Sequence, residues 1–262
     1  MSQQLNRNFM KEALENKDTV FGLYIAVPSP IMVEIAGYAG FDFIRIDMSH
    51  GVFDMPTVLN MIRAAEASGV IPTVRIDYDP VLIANVLEAG VKGIFIPDVS
   101  TVEMAKSVVD TVYFHPKGGR GTFSASRICR YGAVDGGDYA KWSNDEVILG
   151  IQIESKEAID NLDKIIDIDG IDMIGSGRGD LANAIGLIGQ KNHPSVLALE
   201  ERIFDAAIEG GKFVSVNLDP TDENFSEVVS KWKSKAHVIT LGHDINIVRK
   251  NFVKSIVTAR QS

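Results

Sequence analysis

Apolar residues recur along the chain in two rhythms. Short, near-continuous apolar runs fall at 20–27 (VFGLYIAV), 41–47 (FDFIRID), 71–77 (IPTVRID), 93–98 (GIFIPD), 147–154 (VILGIQIE), 171–176 (IDMIGS), 212–218 (KFVSVNL) and 237–242 (HVITLG). β-branched and aromatic residues are frequent in them, which predicts strands. Between them lie segments such as DMPTVLNMIRAAEASG, DPVLIANVLEAG and TVEMAKSVVDTV, with apolar residues three to four apart and often a glycine at the end. That spacing predicts amphipathic helices. Strands apolar on both faces and covered by helices predict a parallel sheet. Eight such units across residues 1–262 predict a single-domain α/β fold, the (β/α)8 TIM barrel. A doubly wound sheet is the alternative, but the turn after the first strand, AVPSPIMVE, lacks a dinucleotide fingerprint. Two segments interrupt the rhythm: 113–146, and 188–209, where an added helix is expected before the seventh strand.

Composition narrows the function classes. With 262 residues and 45% hydrophobic content, the chain can bury a large core. A formal charge of −9 without clustered Lys and Arg disfavours nucleic acid as a partner. Cys129 is the only cysteine, so no internal disulfide forms. The polar start MSQQLNRNFMKEALENKD has no apolar core, and no later segment reaches bilayer length. The expectation is a cytoplasmic protein without a membrane partner.

In a barrel of this kind the active site lies at the C-terminal ends of the strands. Unusual residues gather there: Asp47 and His50 after the second strand, Arg75 and Asp77 after the third, Asp98 after the fourth, Gln152 and Glu154 after the fifth, and Asp180 after the sixth. Any one of them can simply mark where a strand surfaces; jointly they are more than a solvated rim requires. Glu154 and Asp180, one βα unit apart, fall on neighbouring strands about 5 Å apart and can share a divalent cation. A salt bridge to Arg178 or Lys156 is the competing reading. GSGRGDLANAIG (175–186) supplies a glycine-rich turn into a helix, where free N–H groups can receive a carboxylate. It lacks the GK[ST] ending of a Walker A loop.

The blocks FDFIRIDMSHG, PTVRID, VLEAGVKGIFIPDVSTVEMAKSVV, HPKGGRGTFSASRICRYG, IQIESKEAIDNLDKII and DGIDMIGSGRGDLANAIG resemble, in order, those of the HpcH/HpaI aldolase family over about residues 20–218. The resemblance implies a metal-dependent class II aldolase, a carbon–carbon lyase acting through the enolate of pyruvate or of a relative such as oxaloacetate. It implies Glu154 and Asp180 as ligands of a divalent metal (Mg²⁺ or Mn²⁺, with Co²⁺ as a further option) and His50 as the base. It implies Arg75 as oxyanion stabiliser, and Gln152 with the backbone at Gly179 and Asp180 as substrate contacts. The partners implied are a small 2-oxo acid and an aldehyde or acyl donor. It also implies a homo-oligomer, commonly a hexamer, with C-terminal helices exchanged between subunits.

The residue chemistry agrees with this. Arg75 is a fixed cation where negative charge develops, and histidine, at position 50, is a residue type suited to moving protons. Asp47 can orient the imidazole or cap a strand. A Schiff-base route is disfavoured because Lys156, the nearest candidate, falls at a helix start. Ser49 stands where the family often has Glu, and Glu88 stands where it usually has Asp. Glu88 can still raise the basicity of a histidine, one from a neighbouring subunit if the family assembly holds. Arg178 enters a loop that normally lacks it; an added carboxylate on the substrate and a surface position are both open, the second favoured. His115, His193, His237 and His243 have no metal-ligand spacing and read as surface or capping residues. Two alternatives remain: a citrate-forming enzyme of siderophore biosynthesis, condensing oxaloacetate with an acetyl donor, and a barrel that serves only as a scaffold.

Overall fold

Each apolar run forms a strand: β1 (Val20–Ile25), β2 (Phe43–Asp47), β3 (Ile71–Arg75), β4 (Gly93–Ile96), β5 (Ile148–Ile153), β6 (Met173–Ser176), β7 (Phe213–Asn217) and β8 (Val238–His243). All pair in parallel in chain order, and β8 returns to β1, closing the barrel. The structure is a computed structural model describing residues 5–261, so Met1–Gln4 of the polar N-terminal stretch and Ser262 lie outside the described residues.

The helices are α1 (Phe9–Glu15), α2 (Pro30–Tyr38), α3 (Met55–Ser68), α4 (Pro80–Ala89), α5 (Val102–Val112), α6 (Gly136–Glu146), α7 (Lys156–Asp160), α8 (Leu162–Ile166), α9 (Arg178–Ala184), α10 (Pro194–Glu209), α11 (Phe225–Lys233) and α12 (Asp244–Gln261). Local chemistry sets several of their ends. The Asp54 side chain accepts from the Thr57 N–H at the start of α3, and Asp79 and Thr101 do the same service for α4 and α5. The C-terminal stops of α3 and α4 are Gly69 and Gly90, with φ of +78° and +115°, a conformation open to glycine at little cost.

Two apolar layers follow from strands that are buried on both faces. The outer layer packs strands against helices and includes Ile44, Ile46, Val74, Ile94, Ile151 and Ile174. The inner layer fills the lower barrel with Phe43, Phe95, Ile148, Met173 and Val238, and α1 closes that end with Met10 and Leu14. Phe43 fits because Gly22 opposite has no Cβ; Phe95 occupies the space left by Gly150 and Gly175. The barrel is therefore solid below and open only at the rim where the strands end.

The interrupting segments resolve differently. Residues 113–146 fold under the barrel around Phe114, Ile128, Cys129, Val134 and Tyr139 and end in α6. In the second, the supernumerary element is the short α9, while α10, the helix within 188–209, packs on β6 and β7 as the outer helix of the sixth unit. Beyond its first residues α12 leaves the barrel: Phe252, Val253, Ile256 and Val257 are exposed. No helix among the described residues is long and apolar enough to cross a membrane.

Candidate active site

Strand register builds the site. Asp47 and Arg75 are direct partners across β2 and β3, and Tyr24 lies opposite His243 across β1 and β8. Arg75 donates from Nε to Asp47 Oδ1 at 2.9 Å and from Nη2 to Oδ2 at 2.6 Å. The fork geometry of guanidinium and carboxylate suits this double bond. Burial acts to raise the Asp47 pKa, but Arg75 and the nearby His243 and His50 overcome it, so the carboxyl lies well below its ordinary 3.8. Burial acts to lower Arg75, and Asp47 holds it above its ordinary value. The second Nη of Arg75 has no hydrogen-bond partner among the described residues.

Glu154 stands just past the end of β5. Its Oε1 accepts the N–H of Asp98 at 2.9 Å, and Asp98 adopts φ of +49°, a strained conformation for a side chain with a Cβ. Ser100 Oγ fixes that turn by bonding Asp98 and by meeting Ser155 Oγ at 3.0 Å. Burial raises the Glu154 carboxyl to about 7; the negative charges of Asp180 and Asp98 add to it, and the Asp98 N–H and Arg75 oppose it. Asp180 sits in the first turn of α9, whose N-cap Gly177 offers no capping side chain.

Gly177 is where these groups converge. A Cβ there would collide with Glu154 Oε2 and would stand 2.9 Å from Gln152 Nε2 and 3.3 Å from Asp180 Oδ2. The missing side chain leaves a polar cradle, and the buried Oε1 of Gln152 has no hydrogen-bond partner in it. Among the described residues no salt bridge engages Glu154 or Asp180: Arg178 pairs with Glu200 at 2.7 Å and Lys156 with Asp160 at 2.9 Å. The competing salt-bridge reading therefore fails. Two carboxylates without an ion-pair partner converge on this cradle, and no group of three or more acidic, His or Cys side chains that could hold a metal occurs among the described residues; such a pair suits a hard divalent cation that keeps waters and substrate oxygens in its remaining positions. The residues present fit such an ion.

The rim opens into two lobes. One, of about 480 Å³, is lined by His50, Arg75, Asp98, Glu154 and Asp180. The other, of about 600 Å³, is lined by Tyr24, Gln152, Gly179, His243 and, shared with the first, Arg75 and Asp180. His50, Arg75, Gln152, Glu154, Gly179 and Asp180 thus come together as their strand-end positions predict, with Asp47 beneath them.

One reading changes, that of His243, and Glu88 falls away from the rim, in keeping with its expected place beside a neighbouring subunit's histidine. His243 is not a surface or capping histidine. Its Nε2 lies 3.6 Å from Asp47 Oδ2, too long for a hydrogen bond, and its ring stacks on Tyr24 with centroids 4.6 Å apart. The signal was present, since His243 is the last residue of the eighth strand, in LGHD. Glu88 is not part of this chain's own rim. It lies at the far end of α4, where its carbonyl accepts from Ile128, and burial raises its carboxyl against the pull of Arg120. Arg178, held by Glu200, lines the larger lobe.

A closed parallel barrel with unpaired carboxylates, a buried arginine and two histidines at its C-terminal rim defines an enzyme of the (β/α)8 class. The sequence profile of the HpcH/HpaI aldolase/citrate lyase family matches residues 20–250, and the chain belongs to that family. It is a carbon–carbon lyase of the aldolase type, in a metal-dependent family. A 5-keto-4-deoxy-D-glucarate aldolase from Enterobacter sp. (strain 638) is 34% identical over 250 residues, 95% of each chain. Among solved structures, citrate synthase SbnG is 28% identical with a TM-score of 0.84, covering 96% of this chain and 97% of its own. An HpcH/HpaI aldolase from Desulfitobacterium hafniense DCB-2 is 25% identical with a TM-score of 0.89, covering 98% of both.

Proposed function

We propose that the chain forms or cleaves a 2-oxo acid through the enolate of pyruvate or a close relative, with Glu154 and Asp180 holding Mg²⁺ or Mn²⁺ and with Co²⁺ as a substitute. The convergence of Glu154, Asp180 and Gln152 on the space beside Gly177 carries this reading. When bound, the cation supplies a Lewis acid that polarises the keto group. Arg75, charged at any working pH and with one Nη free of protein hydrogen bonds, stabilises the oxygen on which negative charge develops. Gln152 and the N–H groups at Gly179 and Asp180 receive the substrate carboxylate. His50, exposed at the mouth of the smaller lobe, takes and returns the methyl proton.

The 5-keto-4-deoxy-D-glucarate aldolase relatives make that compound the first substrate to try. The likeness to citrate synthase SbnG favours a second reading, condensation of oxaloacetate with an acetyl donor. Assembly follows the same logic: the exposed apolar residues of α12 and the placement of Glu88 away from its own rim support a homo-oligomer, a hexamer by family expectation, in which α12 is exchanged and Glu88 serves a neighbour's site.

Methyl proton exchange of pyruvate in D₂O, with and without Mg²⁺ or Mn²⁺, tests the reading. Metal-dependent deuterium uptake is expected, and mass spectrometry of products then separates aldol from citrate formation. Absence of exchange with pyruvate under every metal, together with no turnover of 5-keto-4-deoxy-D-glucarate, would overturn it in favour of a scaffold.

A further inference from the structure

An aldol condensation moves protons at two places, the methyl carbon of the 2-oxo acid and the oxygen of the acceptor. The rim carries two histidines on different walls. His50 lines the smaller lobe and His243 the larger, and Arg75 and Asp180 belong to both. His243 is the better fixed of the two. Its Nε2 faces Asp47 Oδ2 at 3.6 Å, and its ring lies within 15° of parallel to that of Tyr24. Tyr24 is in turn anchored by a 3.1 Å hydrogen bond from buried Arg45 to its hydroxyl. These contacts set the imidazole plane and turn Nε2 towards the Asp47 carboxylate, while Nδ1 has no protein partner among the described residues. An imidazole held in one plane with a free nitrogen can exchange a proton with a ligand through it.

We propose that His243 is the proton-transfer residue for the acceptor, bound in the larger lobe, while His50 serves the 2-oxo acid. The assignment rests on the aldolase reading above. In condensation the enolate carbon attacks the aldehyde carbon, the new C–C bond forms, and the C=O π pair moves onto oxygen. That oxygen takes the proton of the His243 imidazolium, which becomes neutral. In cleavage neutral His243 removes the hydroxyl proton, the O–H pair becomes the new C=O bond, and the C–C pair passes to the enolate, which His50 reprotonates. The larger lobe also contains Asn217 and Arg178, polar groups suited to a hydroxylated acceptor.

Two half-reactions separate this role from a structural one. His243→Phe keeps the stack on Tyr24 but cannot carry a proton, and His243→Asn serves as a second variant should the first fold poorly. Each is assayed with Mn²⁺ for deuterium exchange into pyruvate alone, which needs no acceptor, and for condensation of pyruvate with glycolaldehyde. Exchange within about 3-fold of the parent and condensation reduced on the order of 100-fold are expected. Parallel loss of both activities in both variants, or unchanged condensation, would overturn the assignment while parental exchange upholds the aldolase reading. Absence of exchange in the parent under every metal, together with no turnover of 5-keto-4-deoxy-D-glucarate, would remove both.

Discussion

Asp47 and Arg75 face each other across adjacent strands and close a buried ion pair through two hydrogen bonds of 2.9 and 2.6 Å. The pair holds the guanidinium in one orientation at the junction of both lobes. Removing one partner of such a pair leaves an uncompensated buried charge. Asp47→Asn is therefore expected to cost about 3 kcal/mol of stability at neutral pH in denaturant titration. The Asp47 carboxyl is depressed below 3.8, so its contribution is present above that pH and is lost as pH falls below it. The gap between parent and variant should narrow below about pH 4; a gap independent of pH would contradict the ion pair.

Glu154 makes a different pH prediction. Burial lifts its carboxyl to about 7, so below that pH a proton competes with any cation for the same oxygens. Mn²⁺ affinity measured calorimetrically should rise as pH increases through about 7 and level off above it. Glu154→Gln should weaken affinity by about 100-fold or more, on the scale of losing one charged ligand. Equal affinity at pH 6 and pH 8 would remove Glu154 from the ligand set.

Gly177→Ala tests the cradle. The backbone there, at φ of −111°, accepts alanine, so the fold should melt within a few degrees of the parent. The added methyl collides with Glu154 Oε2, and Mn²⁺ binding should drop at least 10-fold. A variant that binds the ion normally would mean the carboxylates meet elsewhere.

Lys92 lies outside the site and offers a stability test. Its Nζ stands 4.2 Å from the Trp142 ring centroid, and burial brings its pKa down from 10.5 to about 8. The folded chain therefore carries a half-buried charge at a cost below about pH 8, and the cost disappears as pH rises towards 10.5. Lys92→Met should stabilise by roughly 1–2 kcal/mol at pH 7 after the lost cation–π contact is counted. The gain should vanish near pH 11, as thermal melts at the two pH values would report.

Much of this architecture is legible in the sequence because strand burial and helix amphipathicity leave strong periodic signals. Glu154 and Asp180 are readable as a pair since the βα repeat places them just past the ends of neighbouring strands. Tyr24 is not, because an aromatic in an apolar run looks like packing until the cross-strand partner His243 is known. His243 itself has no ligand spacing, and its relation to Asp47 exists only once β8 returns to β1. Gly177 reads as part of a flexible anion-binding turn, whereas its contribution is the volume it does not fill. Glu88 shows the converse: a residue can match a family position while the single chain places it on the opposite end of the barrel.

Arg45 has a consequence of its own. It is buried one layer beneath Asp47, bonded to Tyr24 and Ser215 hydroxyls and lying 4.1 Å from the Phe95 ring centroid, with no carboxylate at ion-pair distance among the described residues. In a molecule of net charge −9 the barrel axis thus carries one positive charge with no carboxylate partner, sheltered from the electrolyte by the walls around it. Added salt screens the acidic exterior, which repels an anionic metabolite, far more than it screens this interior charge. Capture of a 2-oxo acid should therefore hold steady, or quicken, as ionic strength rises, the reverse of an enzyme that recruits anions with surface lysines.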